Sequence, residues 1–247
     1  MIYGTCKYCG EEKELINSHV IPKSLCCLKE TGNLISIDAK KKKFDKNPIH
    51  QNGIKEYLMC KNCDNLIGIL DNYASKIFKN VIPNHSRIKQ NNISVCQLTQ
   101  PDVDYWKFKK FFISLLWRAS LTKEGINLGK YQEIALKMIK DELPDNPNLF
   151  LPLIYEMNTK TGLDLSSGVF GNKSRGKHIY VIHIPHYLIM IIPNTKYSSN
   201  PKEMEWFKTY FNKDKILIHK LNQILPFEKQ LIDLAITCQE NKKTSYL

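Results

Sequence analysis

Four cysteines stand in two short pairs near the start of the chain, with a spacing typical of metal binding. The first pair is Cys6-Lys-Tyr-Cys9 and the second is Cys60-Lys-Asn-Cys63. Two such pairs supply four thiolates, the ligand set of a closed tetrahedral structural zinc site. A redox-active pair would not explain the second CxxC, so we predict one structural zinc ion bound by all four cysteines.

A histidine lies between the two cysteine pairs, in residues 17–25, Asn-Ser-His-Val-Ile-Pro-Lys-Ser-Leu. A lone histidine in a strand is usually structural. An imidazole is also the side chain whose pKa best suits proton transfer near neutral pH. Its position between two metal-binding pairs and before Val-Ile-Pro leads us to predict that His19 has a functional rather than a structural role.

Together these motifs resemble the HNH endonucleases of the ββα-metal group. Members of that group with four cysteines carry a Ser-His-Ile/Val-Ile-Pro-Lys segment, and residues 51–60, Gln-Asn-Gly-Ile-Lys-Glu-Tyr-Leu-Met-Cys, match a second segment of such proteins. The resemblance covers about residues 3–85. It implies metal-dependent hydrolysis of phosphodiester bonds in nucleic acid, with DNA favoured, leaving 3′-hydroxyl and 5′-phosphate ends. It further implies that His19 is the general base and that one catalytic Mg²⁺ or Mn²⁺ ion is bound, and it suggests a setting in phage defence or mobile DNA.

The chain departs from that family at both expected ligands of the catalytic ion. Ser18 precedes His19 where the family usually has Asp or Glu, and Asp64 follows Cys63 where it usually has Asn or His. Hard divalent cations prefer oxygen ligands, so Asp64 is expected to supply the charged contact and Ser18 a weak or water-mediated one. An ordinary helix N-cap is the competing interpretation of Asp64.

Further polar residues are candidates for substrate binding. The family's middle asparagine has no clear match in this chain: His50, Gln51 and Asn52 lie in the region where it is expected, and Lys55 is a candidate for contacting phosphate. Farther along the chain, Lys107, Lys110 and Arg118 recur at helical spacing with Ser114 and could follow a phosphate backbone. A solvated helix face is the alternative. Trp106, Trp117 and Trp206 are predicted to be core residues.

The hydrophobic periodicity predicts an α+β fold. The resemblance implies that residues 1–85 form a zinc-stapled ββα-metal (HNH) module, and a mixed helix and strand domain of unassigned role, such as substrate binding or regulation, is expected at residues 100–247. The amino-terminal module is expected to contain strands at 14–20 and 55–59 and a helix at 64–80. In the second region we expect helices at 104–121, 130–143, 203–211 and 227–239, strands at 149–157, 179–184 and 187–192, and a basic, glycine-rich loop at 166–177.

Charge and composition indicate the partner and the compartment. The 247 residues carry 36 Lys and Arg against 24 Asp and Glu, a net charge of +12, which suits a polyanion such as nucleic acid. A lysine-rich genome is the alternative explanation. Residues 1–10 lack an apolar core, and no apolar stretch is long enough for a bilayer, so we expect a cytoplasmic protein with reduced thiols and no membrane contact.

Two other functions fit the same residues. One is a non-catalytic, zinc-stabilised module that binds nucleic acid, which the missing carboxylate at Ser18 favours. The other is a protein-interaction module that uses zinc only for folding.

Overall fold

The amino-terminal part of the chain forms a small antiparallel sheet. The computed structural model describes residues 1–26, 37–38, 43–44, 54–90, 93–123, 125–157, 168–174, 177–197 and 201–220. The sheet contains β1 (Ile2–Thr5), β2 (Glu12–His19) and β5 (Lys55–Cys60), with β2 in the centre. The connection from β2 to β5 includes the short helix α1 (Lys23–Cys26) and two paired two-residue strands, β3 (Ile37–Asp38) and β4 (Lys43–Phe44).

One long helix, α2 (Lys61–Lys76), follows β5 without a loop and packs against β2. Apolar residues at spacings of three and four, Ile67, Leu70 and Ala74, form its buried face. The helical path continues as a π-helical turn (Ile77–Val81) and α3 (Ile82–Asn84). The expected helix at 64–80 is therefore confirmed, although it begins at Lys61, because the extended backbone of Cys60 is its N-cap.

The remainder of the chain is built on a seven-stranded sheet in the order β6-β7-β12-β8-β11-β10-β9. Its neighbouring strands are antiparallel except for β12 and β8, which are parallel. The expected strands near 149, 179 and 187 are β8, β10 and β11. The strands are β6 (Arg87–Gln90), β7 (Ile93–Leu98), β8 (Leu149–Glu156), β9 (Gly168–Ser174), β10 (Lys177–Ile184), β11 (Tyr187–Asn194) and β12 (Ile216–Lys220).

The central helix of the molecule is α4 (Tyr105–Ser120), which contacts α2, β8 and β9 as well as α5 (Tyr131–Ile139). Its first turn is capped by the side chain of Asp104, which accepts a hydrogen bond from the backbone N–H of Lys107 at 3.0 Å. Helix α4 is apolar on almost all sides, which explains why most of its residues are buried. A further helix, α6 (Pro201–Lys208), precedes β12, and the expected helix at 227–239 lies outside the described residues.

The buried apolar side chains form a continuous cluster that joins the amino-terminal part to the seven-stranded sheet through α4. Residues 86–99, which the predicted division assigned to neither domain, contain β6 and β7 of that sheet. The overall α+β class is confirmed. The division at residues 85 and 100 stays a prediction.

Two local expectations are wrong. Most of the glycine-rich segment expected to be a loop at 166–177 forms β9, which pairs with β10; a Cβ on Gly171 would lie 3.5 Å from the ring of Tyr180, so the aromatic ring occupies the space beside the glycine. Trp206 is 56% exposed on α6, whereas Trp117 is buried as expected. Within the described part of the chain, no helix combines the length and the apolarity that crossing a bilayer requires.

Candidate metal and active site

The four cysteines of the two CxxC pairs meet at one end of the small sheet. Cys6 and Cys9 lie in the turn that joins β1 to β2, Cys60 ends β5, and Cys63 lies in the first turn of α2. Their Sγ atoms all lie within 4.8 Å of one another. Tetrahedral coordination with Zn–S bonds of about 2.3 Å needs sulfurs about 3.8 Å apart, so this cysteine cluster can hold a metal such as zinc.

The sequence around the first pair builds the turn that the ligands require. Gly10 has φ +80°, a conformation that favours glycine, and its N–H donates to the carbonyl of Cys6 at 2.8 Å. The N–H of Cys6 donates to the carbonyl of Glu11 at 2.9 Å, which closes the turn. The backbone N–H of Cys60 points to the Sγ of Cys6 at 3.4 Å and thereby links the two pairs.

The protein environment shifts the pKa values of two of these thiols, Cys6 and Cys63, in opposite directions. Burial raises the pKa of Cys6, but backbone N–H groups of Cys9, Cys60 and Tyr8 favour its thiolate and lower the pKa to about 7 overall. Burial and hydrogen bonds with the neighbouring cysteines raise the pKa of Cys63. A thiolate among buried thiols suits a site that is completed by a cation.

His19 is the last residue of β2, at the end of the strand farthest from the cysteine cluster. It pairs with Lys55 of β5, and the following residue, Val20, donates its N–H to the carbonyl of Ile54 at 2.9 Å. A shift in register between Ile16 and Asn17 lies two residues earlier in the strand. The His19 side chain is half-buried, and its Nε2 atom is inaccessible to solvent.

Asp64 lies in the first turn of α2, directly after Cys63, and is partly exposed. Because Cys60 occupies the N-cap position and α2 starts at Lys61, the N-cap interpretation of Asp64 is wrong. A carboxylate in the first helical turn is still stabilised by the helix dipole. Asp64 therefore remains available as a cation ligand.

The structure adds Asp71, which the sequence did not single out. Asp71 follows Asp64 by two helical turns on the same side of α2, and its side chain is 14% exposed. Both of its carboxylate oxygens accept hydrogen bonds from Arg118, at 2.7 and 2.9 Å. Burial raises the pKa of Asp71 and the Arg118 guanidinium opposes that rise, while the charges of Asp64 and His19 also act on it. Asp71, Asp64 and His19 thus share one electrostatic environment.

Ser18 is placed less favourably for binding a cation. Successive side chains of a strand point to opposite faces, so Ser18 and His19 leave β2 on different sides. Ser18 is only 2% exposed, and its hydroxyl donates a long hydrogen bond of 3.5 Å to the carbonyl of Ile16. The expected role of Ser18 stays a prediction that this geometry does not favour.

The other expected substrate-binding residues are dispersed. Lys55 is exposed at the start of β5 opposite His19. Gln51 and Asn52 lie outside the described residues.

The expected basic stripe on α4 is not a row of solvated cations, because its members face different partners. Arg118 is 1% exposed and bonded to Asp71, which corrects the expectation that it is free to follow a phosphate backbone. Lys110 pairs with Asp141 at 2.7 Å and lies over Trp106, while Lys107 lies over Tyr73. Both lysines line a cleft of about 310 Å³ on the other flank of α2 from Asp64 and Asp71. Contact of Lys107 or Lys110 with substrate stays a prediction.

No protein-family model, curated protein or solved structure matches this chain. The resemblance to HNH endonucleases therefore rests on the motifs of residues 3–85 alone.

Proposed function

We propose that this chain is a metal-dependent endonuclease of the HNH type that acts on nucleic acid, with DNA favoured. His19 is the general base, Asp64 is the principal ligand of a divalent cation, and the cysteine cluster binds a structural zinc ion. One observation carries the proposal: the cysteine cluster joins β2, β5 and α2 at one end, in the strand–strand–helix arrangement that places His19 and Asp64 on facing elements.

The zinc ion has a structural role in this proposal. All four ligand positions are taken by cysteines, which leaves no open position for water or substrate. The elements it would join, β2, β5 and α2, come from separate parts of the chain, so a bound metal would stabilise their mutual arrangement.

The catalytic cation is assigned to Asp64 because of what surrounds it. Asp64 is the partly exposed carboxylate of the pair on α2, whereas both oxygens of Asp71 are bonded to Arg118. A carboxylate oxygen is a ligand that Mg²⁺ and Mn²⁺ prefer. When bound, such an ion would neutralise charge on the phosphate and on the leaving oxygen.

The protein's own part in the reaction is proton transfer. A neutral imidazole at His19 accepts a proton from the water that attacks phosphorus, and Lys55 opposite it supplies positive charge for a neighbouring phosphate. The net charge of +12 attracts the polyanionic substrate.

A second candidate is a zinc-stabilised module that binds nucleic acid without cutting it. Two observations favour it: Ser18 offers no carboxylate and is buried, and the Nε2 atom of His19 is inaccessible to solvent. A nuclease with this chain must open a path to His19 when substrate binds.

A plasmid-nicking assay with Mg²⁺ or Mn²⁺ tests the proposal, using wild type, His19→Ala, Asp64→Ala and the control His85→Ala. His85 is a partly exposed histidine that pairs with Asp102 at 3.2 Å, away from β2. We expect cleavage by wild type and His85→Ala and loss of at least about a hundredfold in His19→Ala, since general-base catalysis contributes roughly 10²–10⁴.

Each other outcome excludes a defined part of the proposal. Full activity of Asp64→Ala would remove Asp64 from the metal site. Salt-dependent binding of DNA without cleavage would select the second candidate. Neither binding nor cleavage, with single-stranded RNA included as a substrate, would leave a protein-interaction module.

A further inference from the structure

We propose that Arg118 is a positioning residue for this site: through Asp71 and the carbonyl of His19, it fixes the end of β2 against α2. The inference rests on the proposed function, because the position of His19 matters only if His19 does chemistry. Arg118 belongs to α4, outside residues 1–85, so the catalytic strand would depend on the second region of the protein for its alignment.

The contacts of Arg118 converge on the two elements that carry the proposed active-site residues. Its Nη1 atom donates to the carbonyl of His19 at 3.0 Å and to Asp71 Oδ2 at 2.9 Å. Its Nη2 atom donates to Asp71 Oδ1 at 2.7 Å, and its Nε atom donates to the carbonyl of Ser114, one turn earlier in α4, at 3.4 Å. A planar guanidinium bonded in three directions fixes both angle and distance.

The end of β2 needs such a contact. Strand β1 pairs only with residues 12–15 of β2, so in the described sheet residues 16–19 are held by β5 alone. His19 is also the final residue of the strand, and only one further backbone hydrogen bond, from Val20 to Ile54, continues the pairing in the described sheet. Trp117, the neighbour of Arg118 in α4, is 1% exposed, so this part of α4 lies in the core. The hydrogen bond from Arg118 therefore connects the end of β2 to the core.

Stability alone does not explain this ion pair. The Arg118 and Asp71 side chains are 2% and 14% exposed, and removing both charges from water costs about as much as their attraction returns. A well-packed apolar pair in such a place is often equally stable. An apolar pair does not fix the direction of the contact between its side chains. A general base needs a fixed position and direction, since a misplacement of about 1 Å can lower the rate about a hundredfold.

The decisive variant replaces both charges with apolar side chains, Arg118→Met with Asp71→Leu, so that no unpaired charge is left buried. The matched control is Lys109→Met with Asp145→Leu. Lys109 lies on the same helix, is 0% exposed and pairs with Asp145 at 2.7 Å, but its hydrogen bonds go to Tyr105, Asp145 and Asn146 rather than to β2.

We expect the Arg118/Asp71 variant to retain zinc and to melt as cooperatively as the control pair, but to lose about ten- to a hundredfold in kcat with KM changed less than about twofold. The single substitution Arg118→Lys should lower kcat less than the Arg118/Asp71 variant does, because lysine keeps the positive charge but lacks the planar set of donors. Wild-type kcat in the Arg118/Asp71 variant would show that the pair is only structural and would overturn the inference.

A second measurement separates this inference from the proposed function. In a ¹H–¹³C spectrum of the histidine rings, the His19 signal is identified by its loss in His19→Asn. It should shift or broaden in the Arg118/Asp71 variant and stay in place in the Lys109/Asp145 variant. If wild type has no nuclease activity, the proposed function fails, and an unchanged His19 signal would then reject the positioning role as well.

Discussion

The two ends of the β2–α2 unit are held in contrasting ways. At one end, four cysteines from residues 6–63 converge on a possible metal site. At the other end, His19 and Asp71 are bound by Arg118, which is 99 residues from His19 along the chain. The cysteine end is assembled from short local motifs, and the His19 end is assembled only when α4 packs against α2. The metal end can therefore form within the amino-terminal region, whereas the proposed catalytic end requires the whole fold.

Helix α4 contacts both ends through consecutive residues. Trp117 packs edge-on against Tyr8 of the first CxxC turn, with ring centres 6.1 Å apart, and Arg118 binds Asp71 and His19. Removing the contact with α4 would therefore cost the cysteine end an aromatic contact and the His19 end an ion pair. The contact at Tyr8 is apolar and lies beside the cysteine cluster, whereas the contact at Arg118 is ionic and lies at the opposite end of β2.

The largest effect is expected at the cysteine end. Cys60→Ser, or removal of metal with a strong chelator, should abolish cooperative melting of the amino-terminal region, because structural zinc contributes about 10–16 kcal/mol in small domains. Elemental analysis together with circular dichroism on heating measures this, and wild type should contain one zinc per chain. The control is Cys96→Ala, since Cys96 is buried in β7 away from the cluster. Full stability of Cys60→Ser without zinc would contradict a structural metal.

The next largest effect is expected at the His19 end. Arg118→Ala leaves Asp71 buried without its cation, which should lower the free energy of unfolding by about 3–5 kcal/mol while zinc is retained. Urea denaturation measures the loss. The control Lys110→Ala breaks the pair with Asp141, whose side chain is 59% exposed, and should cost less than about 1 kcal/mol. Equal losses in the two variants would mean that burial of the pair is not what matters.

A moderate effect is expected where α4 contacts the cysteine end. Tyr8→Ala removes the aromatic contact with Trp117 and a platform for Lys140, and should cost about 2 kcal/mol. Tyr8→Phe keeps the ring and should be nearly neutral. Both proteins should keep their zinc, and a loss of metal from Tyr8→Ala would show that the two supports are not separable. Thermal melting and metal content are the measurements.

The smallest effect is expected where α1 meets α2. The hydroxyl groups of Ser24 and Ser75 are hydrogen bonded at 2.5 Å, and Ser75→Ala should lower stability by about 1 kcal/mol. Ser86→Ala, in the bend after α3, serves as a control for the substitution itself. If Ser75→Ala costs as much as Arg118→Ala, the alignment of α2 depends on α1 as much as on α4.

Local signals in the sequence predicted much of the fold. The helices α2, α4 and α5 and the strands β2, β5, β8, β10 and β11 follow from apolar residues repeating at helical or strand spacing. The short strands β1, β6, β7 and β12 carry weak patterns and were not predicted. Strands β1 and β6 pair with the strands that follow them in the chain, whereas β12 pairs with the distant strands β7 and β8. Strand β9 was hidden by its glycines, because the ring of Tyr180 fills the space beside Gly171 only after the strands have paired.

The sequence by itself identified the four cysteines that can hold a metal, because two CxxC turns fix the spacing of their sulfurs locally and can meet in one place. It also predicted the strand that contains His19, expected at 14–20 and observed at Glu12–His19. Only the tertiary structure decided the setting of His19. Asp71 is 47 residues from Arg118 along the chain. The sequence pattern of a helix does not distinguish a basic residue that faces solvent from one that faces a buried carboxylate. The packing of α4 against α2 determines which of the two occurs, because it removes that side of each helix from water.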